Sequence, residues 1–356
     1  MTDISRIDPN FKVEPLGRED GLCFFDAALP PFSVHGLLWE GGRWRRLPEG
    51  LAKQVSEGVF SLHDHTAGGR VRFVTDSGRI AIRAEMDNIG KMPHFALTGS
   101  AGFDLFEEGQ FLTTFVPPFG IQEGFSSKKV LDGRKLRQLT LHFPLYSGVK
   151  TLQIGVEEGA VLLPAPAFDA PPIVFYGSSI TQGGCASKPG SAFPAMVSAM
   201  LGCDHINLGF SGSCRGEQVL VDHLAALPMS AFVCGYDHNA PSVWHLKNTH
   251  RAVYEAVRAA HPRIPILLLN RPKPRLNAEE QERLAVVRAT FDAAKAAGDE
   301  TVYLLTGDRL IPEESWPWAT VDGTHPNDLG FYTMAKAVAE TLRAADFACI
   351  CAEKSV

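Results

Sequence analysis

Residues 174–183 read Val-Phe-Tyr-Gly-Ser-Ser-Ile-Thr-Gln-Gly. A short apolar run stops on glycine and two adjacent hydroxyls. Either Ser178 and Ser179 shape a turn and cap the next helix, or one of them is a nucleophile. Near the other end of the chain, Asp322-Gly323-Thr324-His325-Pro326 sets a carboxylate three residues before an imidazole. That spacing can bring both side chains onto one turn. Taken singly, Asp322-Gly323 is an ordinary turn and Pro326 an ordinary helix start. Between these segments lie Asn207-Leu208-Gly209-Phe210-Ser211-Gly212-Ser213 and Gly235-Tyr236-Asp237-His238-Asn239-Ala240-Pro241. A hydroxyl, an imidazole base, a carboxylate to orient it and donors for an oxyanion are the parts that acyl transfer requires. The G-x-S-x-G elbow is absent, because Thr181 stands where its second glycine would be.

Other side chains offer other chemistry. His238, His245 and His250 suggest zinc, but no H-E-x-x-H or comparable ligand spacing accompanies them. Hydrogen-bonded or solvated histidines are the plainer reading, with His238 set apart by its place beside Asn239. Arg271 follows an apolar run and could grip a substrate carboxylate or a sugar hydroxyl, or form a surface ion pair. Trp316 and Trp318 precede the Asp322 loop and could wall an acyl or sugar pocket, or pack in the core. Seven cysteines show no framework spacing and fit a reducing, cytoplasmic compartment. The Cys349-Ile350-Cys351 pair could bind metal or oxidise, though a frayed tail is the simpler account.

The elements that position these residues come in two textures. Up to about residue 165 the period is two: Arg70-Val71-Arg72-Phe73-Val74, Arg79-Ile80-Ala81-Ile82-Arg83, Gln138-Leu139-Thr140-Leu141-His142-Phe143 and Thr151-Leu152-Gln153-Ile154-Gly155-Val156. Alternation of this kind predicts antiparallel strands with one wet and one buried face, and hence a β-sandwich over 1–165. A stiff segment with Pro164, Pro166, Pro171 and Pro172 follows. Beyond it, continuous apolar runs (Ile173 to Tyr176, Ala231 to Cys234, Ile264 to Leu269, Val302 to Leu305) alternate with helical stretches at Pro241 to Ala260 and Ala278 to Ala297. That pattern predicts an α/β domain over 166–356, with a parallel sheet covered on both faces. Ligands in such sheets bind beyond the carboxyl ends of the strands, where all four polar segments fall.

Composition narrows the classes. The chain has 356 residues, of which 45% are hydrophobic and 21% charged, with a net charge of −6. No basic field attracts nucleic acid or anionic lipid. No apolar run approaches the roughly 20 residues of a membrane helix, and the first residues lack the apolar stretch of a secretory signal.

The four segments, in this order, resemble the sequence blocks of the SGNH/GDSL hydrolase superfamily over roughly residues 173–345. The resemblance implies a flavodoxin-like catalytic domain, here behind a jelly-roll-like sandwich resembling the ancillary domains of carbohydrate esterases. It makes Ser179 the nucleophile, with Ser178 in place of the usual aspartate. His325 becomes the base, oriented by Asp322. The oxyanion hole would be Ser179 N–H, Gly212 N–H and the Asn239 amide. The asparagine of G-x-N-D would fall at 237, where this chain has Asp237, and the longer form of the third block selects Asn239. The implied activity is ester hydrolysis through an acyl-enzyme, on short acyl esters of carbohydrates or small glycosides, with no metal or organic cofactor. His238, Arg271 and Trp318 are expected near the substrate. The expected partner is the small-molecule ester, an acylated sugar among the possibilities, with no nucleic acid or membrane. A homo-oligomer is left open. Acyl transfer to a small alcohol is the alternative, and an inactive carbohydrate-binding protein a second one.

Overall fold

The structure is a computed structural model that describes residues 17–345 and 347. The Cys349–Cys351 pair lies outside the described residues. The first half forms strands β1 (Gly17–Glu19), β2 (Leu22–Asp26), β3 (Ser33–His35), β4 (Leu38–Glu40), β5 (Arg43–Arg45), β6 (Arg70–Thr75), β7 (Arg79–Asp87), β8 (Phe103–Glu107), β9 (Gln110–Phe115), β10 (Gly124–Val130), β11 (Arg137–His142), β12 (Gly148–Glu157) and β13 (Leu162–Pro164). Two large antiparallel sheets result, ordered β1-β2-β12-β7-β10 and β13-β6-β11-β8-β9, with β3 also paired to β6, and β4 and β5 form a separate antiparallel pair. The inward residues of the alternating strands (Val71, Phe73, Ile80, Ile82, Leu139, Leu141, Leu152 and Ile154) fill one core between them.

One face departs from the expectation of water. Arg70 and Arg72, the polar positions of β6, are both buried. Arg70 pairs with Asp204 and donates to the His205 carbonyl at 2.9 Å, and Arg72 donates to the Pro166 carbonyl at 2.8 Å over the ring of Phe168. Period-two alternation gives the pleat but not what covers its polar side, and here the second half of the chain covers it.

That second half builds a five-stranded parallel sheet from β14 (Ile173–Gly177), β15 (His205–Gly209), β16 (Ala231–Gly235), β17 (Ile266–Leu269) and β18 (Val302–Leu305). Its order, β15-β14-β16-β17-β18, is the flavodoxin-like 2-1-3-4-5 arrangement. The strands are buried on both faces, as their unbroken apolar runs require. The main helices are α5 (Phe193–Leu201), α6 (Gln218–Ala226), α7 (Val243–Ala260), α8 (Ala278–Ala296) and α10 (Asp328–Ala344). Shorter ones are α4 (Ser179–Gln182) and α9 (Gly307–Leu310), and α1 (Glu49–Val55), α2 (Glu57–Leu62) and α3 (Leu97–Ser100) in the first half. Helix α7 starts later than Pro241: Ser242 caps it, its hydroxyl accepting from His245 N at 3.1 Å, so the proline precedes the cap.

The halves share hydrophobic cores. Ala67, Phe95, Leu145 and Tyr146 pack with Phe175, Ile180 and Phe193, while Leu47, Ala52 and Val59 pack with Val174, Tyr176 and Leu208. No helix of the described residues is long and apolar enough to cross a membrane.

Candidate active site

Three strand ends lie level. Gly177 pairs in register with Gly209 of β15 and Gly235 of β16, so the loops after β14, β15 and β16 leave the sheet side by side at its topological switch point. Glycine is required at 177, because a Cβ there would lie 2.6 Å from the Gly235 carbonyl oxygen and would collide with Thr181. The two hydroxyls that follow divide the roles between them. Ser178 is fully buried, and its hydroxyl accepts from Ile180 N at 3.2 Å as the cap of α4. Ser179 is the first residue of α4, where backbone N–H groups have no helical partner. Its Oγ lies 3.0 Å from His325 Nε2.

His325 and Asp322 share one loop. Thr320 bridges to Pro326, and Val321 N donates to the His325 carbonyl at 2.9 Å, closing the loop at Gly323, whose φ is 77°. Asp322 Oδ2 is 2.8 Å from His325 Nδ1, and Asp322 Oδ1 accepts from Thr324 N at 2.9 Å and His325 N at 2.8 Å. Burial raises the Asp322 carboxyl, but the His325 backbone N–H, the imidazole and the Thr324 N–H outweigh it and hold the group at about 2. Asn327 caps α10 immediately afterwards, its Oδ1 accepting from Leu329 N at 3.0 Å. Pro326 thus precedes the cap and does not open the helix.

Gly212 has a φ of 66°, and the space where a side chain would stand is open. Asn239 closes a 3-10 turn, Asp237–Asn239. Its Nδ2 donates to the Phe210 carbonyl at 3.1 Å, which ties the third loop to the second and leaves one amide N–H to spare. Asp237 is buried and turned to structural work. Its carboxylate accepts from Arg271 N at 3.1 Å and meets His238 Nδ1 at 3.0 Å. Burial raises its pKa, yet the His238 contact and backbone N–H groups hold it below the ordinary carboxylate value. His238 Nε2 is buried without a partner among the described residues.

Arg271 is engaged by protein groups: Nη1 pairs with Glu280 at 3.0 Å and Nη2 donates to Thr324 Oγ1 at 2.7 Å. It therefore braces the loop that carries His325. Trp318 is 71% exposed, and its carbonyl accepts from Asn327 Nδ2 at 2.7 Å, while Trp316 packs against the core. His245 Nε2 lies 2.8 Å from the Arg215 carbonyl and His250 Nδ1 lies 2.9 Å from Thr290 Oγ1. Both are structural histidines.

Sequence reasoning missed the support that the first half provides. Tyr146 donates to the Ser179 carbonyl at 3.3 Å. Gln182 Oε1 accepts from Ser211 N at 3.0 Å, while its Nε2 donates to the Leu145 carbonyl and meets His65 Nδ1, each at 3.2 Å. Arg46 is buried and donates to the carbonyls of Leu62, His65 and Gly209, behind the loop that follows β15. Burial lowers its pKa to about 9. Asp104 of β8 accepts from Gly190 N of the second half at 2.8 Å and meets His142 Nδ1 at 2.8 Å. Only Asp104, set between Phe103 and Leu105, stands out as a polar residue in an apolar run, and that signal names no partner.

Both halves of the chain have counterparts among known proteins. Residues 170–343 match the GDSL-like lipase/acylhydrolase family, and residues 22–162 match the N-terminal domain of SGNH-hydrolase-type esterases. A Bacteroides ovatus protein named as a GDSL-like lipase is 26% identical, covering 91% of this chain and 98% of its own, with a TM-score of 0.81. The salicylyl-acyltransferase SsfX3 of a tetracycline biosynthetic pathway is 19% identical over 94% of this chain and 100% of its own, at a TM-score of 0.79. The acetyl xylan esterase Est2A from the rumen bacterium Butyrivibrio proteoclasticus is 13% identical over 91% of this chain and 98% of its own, at 0.61. No curated protein matches the chain. With both halves matched in order and the polar loops gathered at one sheet edge, the chain belongs to the GDSL-like lipase/acylhydrolase family of SGNH hydrolases, which are carboxylic ester hydrolases.

Proposed function

We propose that the chain hydrolyses short acyl esters of carbohydrates or small glycosides through an acyl-enzyme on Ser179. The observation that carries this reading is the unbroken line Ser179 Oγ, His325 Nε2, His325 Nδ1, Asp322 Oδ2, with contacts of 3.0 and 2.8 Å. His325 accepts the Ser179 proton as Oγ bonds to the ester carbonyl carbon. Asp322 fixes the tautomer and stabilises the imidazolium. The developing oxyanion is held by the N–H groups of Ser179 and Gly212 and by the Asn239 amide. Collapse expels the alcohol, which takes the proton from His325, and water activated by the same imidazole releases the acid.

The open setting supports a bulky alcohol: the side chains of His325 and Asp322 are 24% and 38% exposed. The fold shared with an acetyl xylan esterase supports a sugar ester by analogy. The five cysteines among the described residues are free and buried, which supports a reducing, cytoplasmic setting. Acyl transfer to a small alcohol is the second reading, favoured by the likeness to the salicylyl-acyltransferase along nearly the whole chain. A series of chromogenic esters of increasing chain length, run beside acetylated sugars with and without an added alcohol, separates the readings. Release of free acid from the shortest acyl groups and from acetylated sugars supports hydrolysis. Partition of the acyl group to the alcohol in preference to water supports transfer, and no turnover of any ester overturns both.

A further inference from the structure

One cluster joins the imidazole of that mechanism to two side chains the mechanism does not use. His94, Cys185 and His325 come from three separate segments, yet a ligand atom of each lies within 4.8 Å of the other two. His94 belongs to the loop after β7 and is exposed, with its ring centroid 5.9 Å from that of His325. Its neighbour Phe95 is buried edge-on against Tyr146, so the loop is anchored. Cys185 is a buried free thiol with a φ of 77°, an uncommon conformation for a residue other than glycine.

We propose that these three side chains form a binding site for a thiophilic divalent cation of the zinc type, and that its occupancy switches the esterase off. Two imidazoles and a thiolate are a donor set suited to zinc. Zinc bonds of about 2.0–2.1 Å to nitrogen and about 2.3 Å to sulfur place tetrahedral ligand atoms about 3.4–3.6 Å apart. The three ligand atoms lie within 4.8 Å of one another, so small side-chain rotations, of Cys185 as well as of the exposed His94, must close the remaining gap. His325 Nδ1 is held by Asp322 at 2.8 Å, so Nε2 is its free ligand atom, and the carboxylate–histidine pair is the usual arrangement behind a metal-bound imidazole. The Cys185 proton leaves to solvent as the thiolate bonds to the metal. Because Nε2 also faces the Ser179 hydroxyl at 3.0 Å, one nitrogen cannot serve both. The bound cation takes the base away from the nucleophile and ties the sandwich to the catalytic loop through His94.

The inhibition rests on the reading of His325 as the base, whereas the metal site does not, so two readouts are needed. The full chain, stripped with a chelator, is titrated with Zn2+ while short-chain ester hydrolysis is followed. Activity is expected to fall more than about tenfold, in one saturable step reversed by the chelator. His94→Ala and Cys185→Ser should retain metal-free activity, and each should raise the zinc midpoint by at least about tenfold, since even groups behind a ligand cost that much. In parallel, Co2+ replaces Zn2+ and the thiolate-to-cobalt absorption is recorded. The band is expected in the wild type and in Ser179→Ala, and its loss in Cys185→Ser supports the site. A Cys185-dependent band in a protein that hydrolyses no ester leaves the site standing and removes the function. An active esterase with no such band, or with a zinc midpoint that neither substitution moves, overturns the proposal.

Discussion

The phenol of Tyr146, from the sandwich half, donates to the backbone carbonyl of Ser179 at 3.3 Å. The residue read as nucleophile is therefore held by the other half of the chain. The same carbonyl also accepts from Gly183 N at 3.0 Å and Gly184 N at 2.8 Å. Removing the phenol leaves it satisfied, so Tyr146→Phe should cost only about 1 kcal/mol, the net worth of one hydrogen bond. Tyr146→Ala should cost more, about 3–5 kcal/mol, because the ring packs against Phe95 in the shared core. Denaturant unfolding of the two variants checks both figures, and equal losses would show that the phenol, not the packing, carries the effect.

Ser178 and Ser179 provide a contrast that tests the register of the first block. Ser179→Ala should abolish hydrolysis and leave the fold intact, because only the nucleophilic oxygen goes. Ser178→Ala should keep most activity but lose the cap of α4, costing about 1 kcal/mol. Parallel rates and unfolding curves decide it. An essential Ser178 with a dispensable Ser179 would mean that the neighbouring hydroxyl reacts.

The catalytic half was legible because parallel strands buried on both faces read as unbroken apolar runs, and polar residues at their ends stand out against them. Gly177-Ser178-Ser179 and Asp322-Gly323-Thr324-His325 could be read for this reason. The contribution of the first half was not legible. Arg70 and Arg72 occupy the polar positions of an alternating strand, and nothing local distinguishes water from Asp204 or Phe168 as their neighbour. Tyr146, Arg46 and His65 are likewise defined by contacts far along the chain. Arg271 was legible as a strand-end residue, but its hold on Thr324 depends on how the last loop folds back.

Ser179, His325 and Asp322 should behave as one unit. His325→Ala should be nearly as damaging as Ser179→Ala, with losses on the order of 10⁶-fold in kcat, and the double variant no worse. Asp322→Asn should be milder, on the order of 10⁴-fold, because the imidazole remains but its tautomer is less well held. Steady-state rates of the single and double variants form the cycle. Additive losses would mean that another base, His238 foremost, serves Ser179.

Stability should fall as pH drops from about 6.5 to about 4. Burial pushes His250 down to about 4, and burial followed by the Arg46 guanidinium does the same to His65. An unfolded histidine titrates near 6.5, so within this window the unfolded chain binds more protons and stability rises with pH. Above 6.5 both states are neutral and the effect vanishes. Each histidine contributes up to about 3 kcal/mol across its full shift. Asp322, held at about 2, lies outside the window. Urea unfolding at a series of pH values should show this slope, and His250→Gln should flatten it by up to one proton. An unchanged slope in that variant would show that His250 is not the group responsible.

The third block yields the sharpest contrast between neighbours. Asn239 has one amide N–H on the Phe210 carbonyl and a second to offer. If that second N–H meets the oxyanion, Asn239→Ala should lower kcat by roughly a hundred- to a thousandfold, as for single oxyanion donors elsewhere. KM should move little, because the charge being stabilised exists only in the transition state. Part of any loss could come from freeing the loop at Phe210, and Asn239→Asp separates the two. A carboxylate can accept but not donate, so it fails both at Phe210 and at an oxyanion, and it adds repulsion to the second, so activity should fall below that of Asn239→Ala. Asp237→Ala acts differently. Its carboxylate is committed to His238 and to the Arg271 backbone, so its loss should appear first as lower stability or a raised KM. Kinetics of the three variants, with unfolding measured on each, separate the cases. A raised KM and unchanged kcat for Asn239→Ala would remove Asn239 from the oxyanion hole and leave Ser179, His325 and Asp322 in their roles.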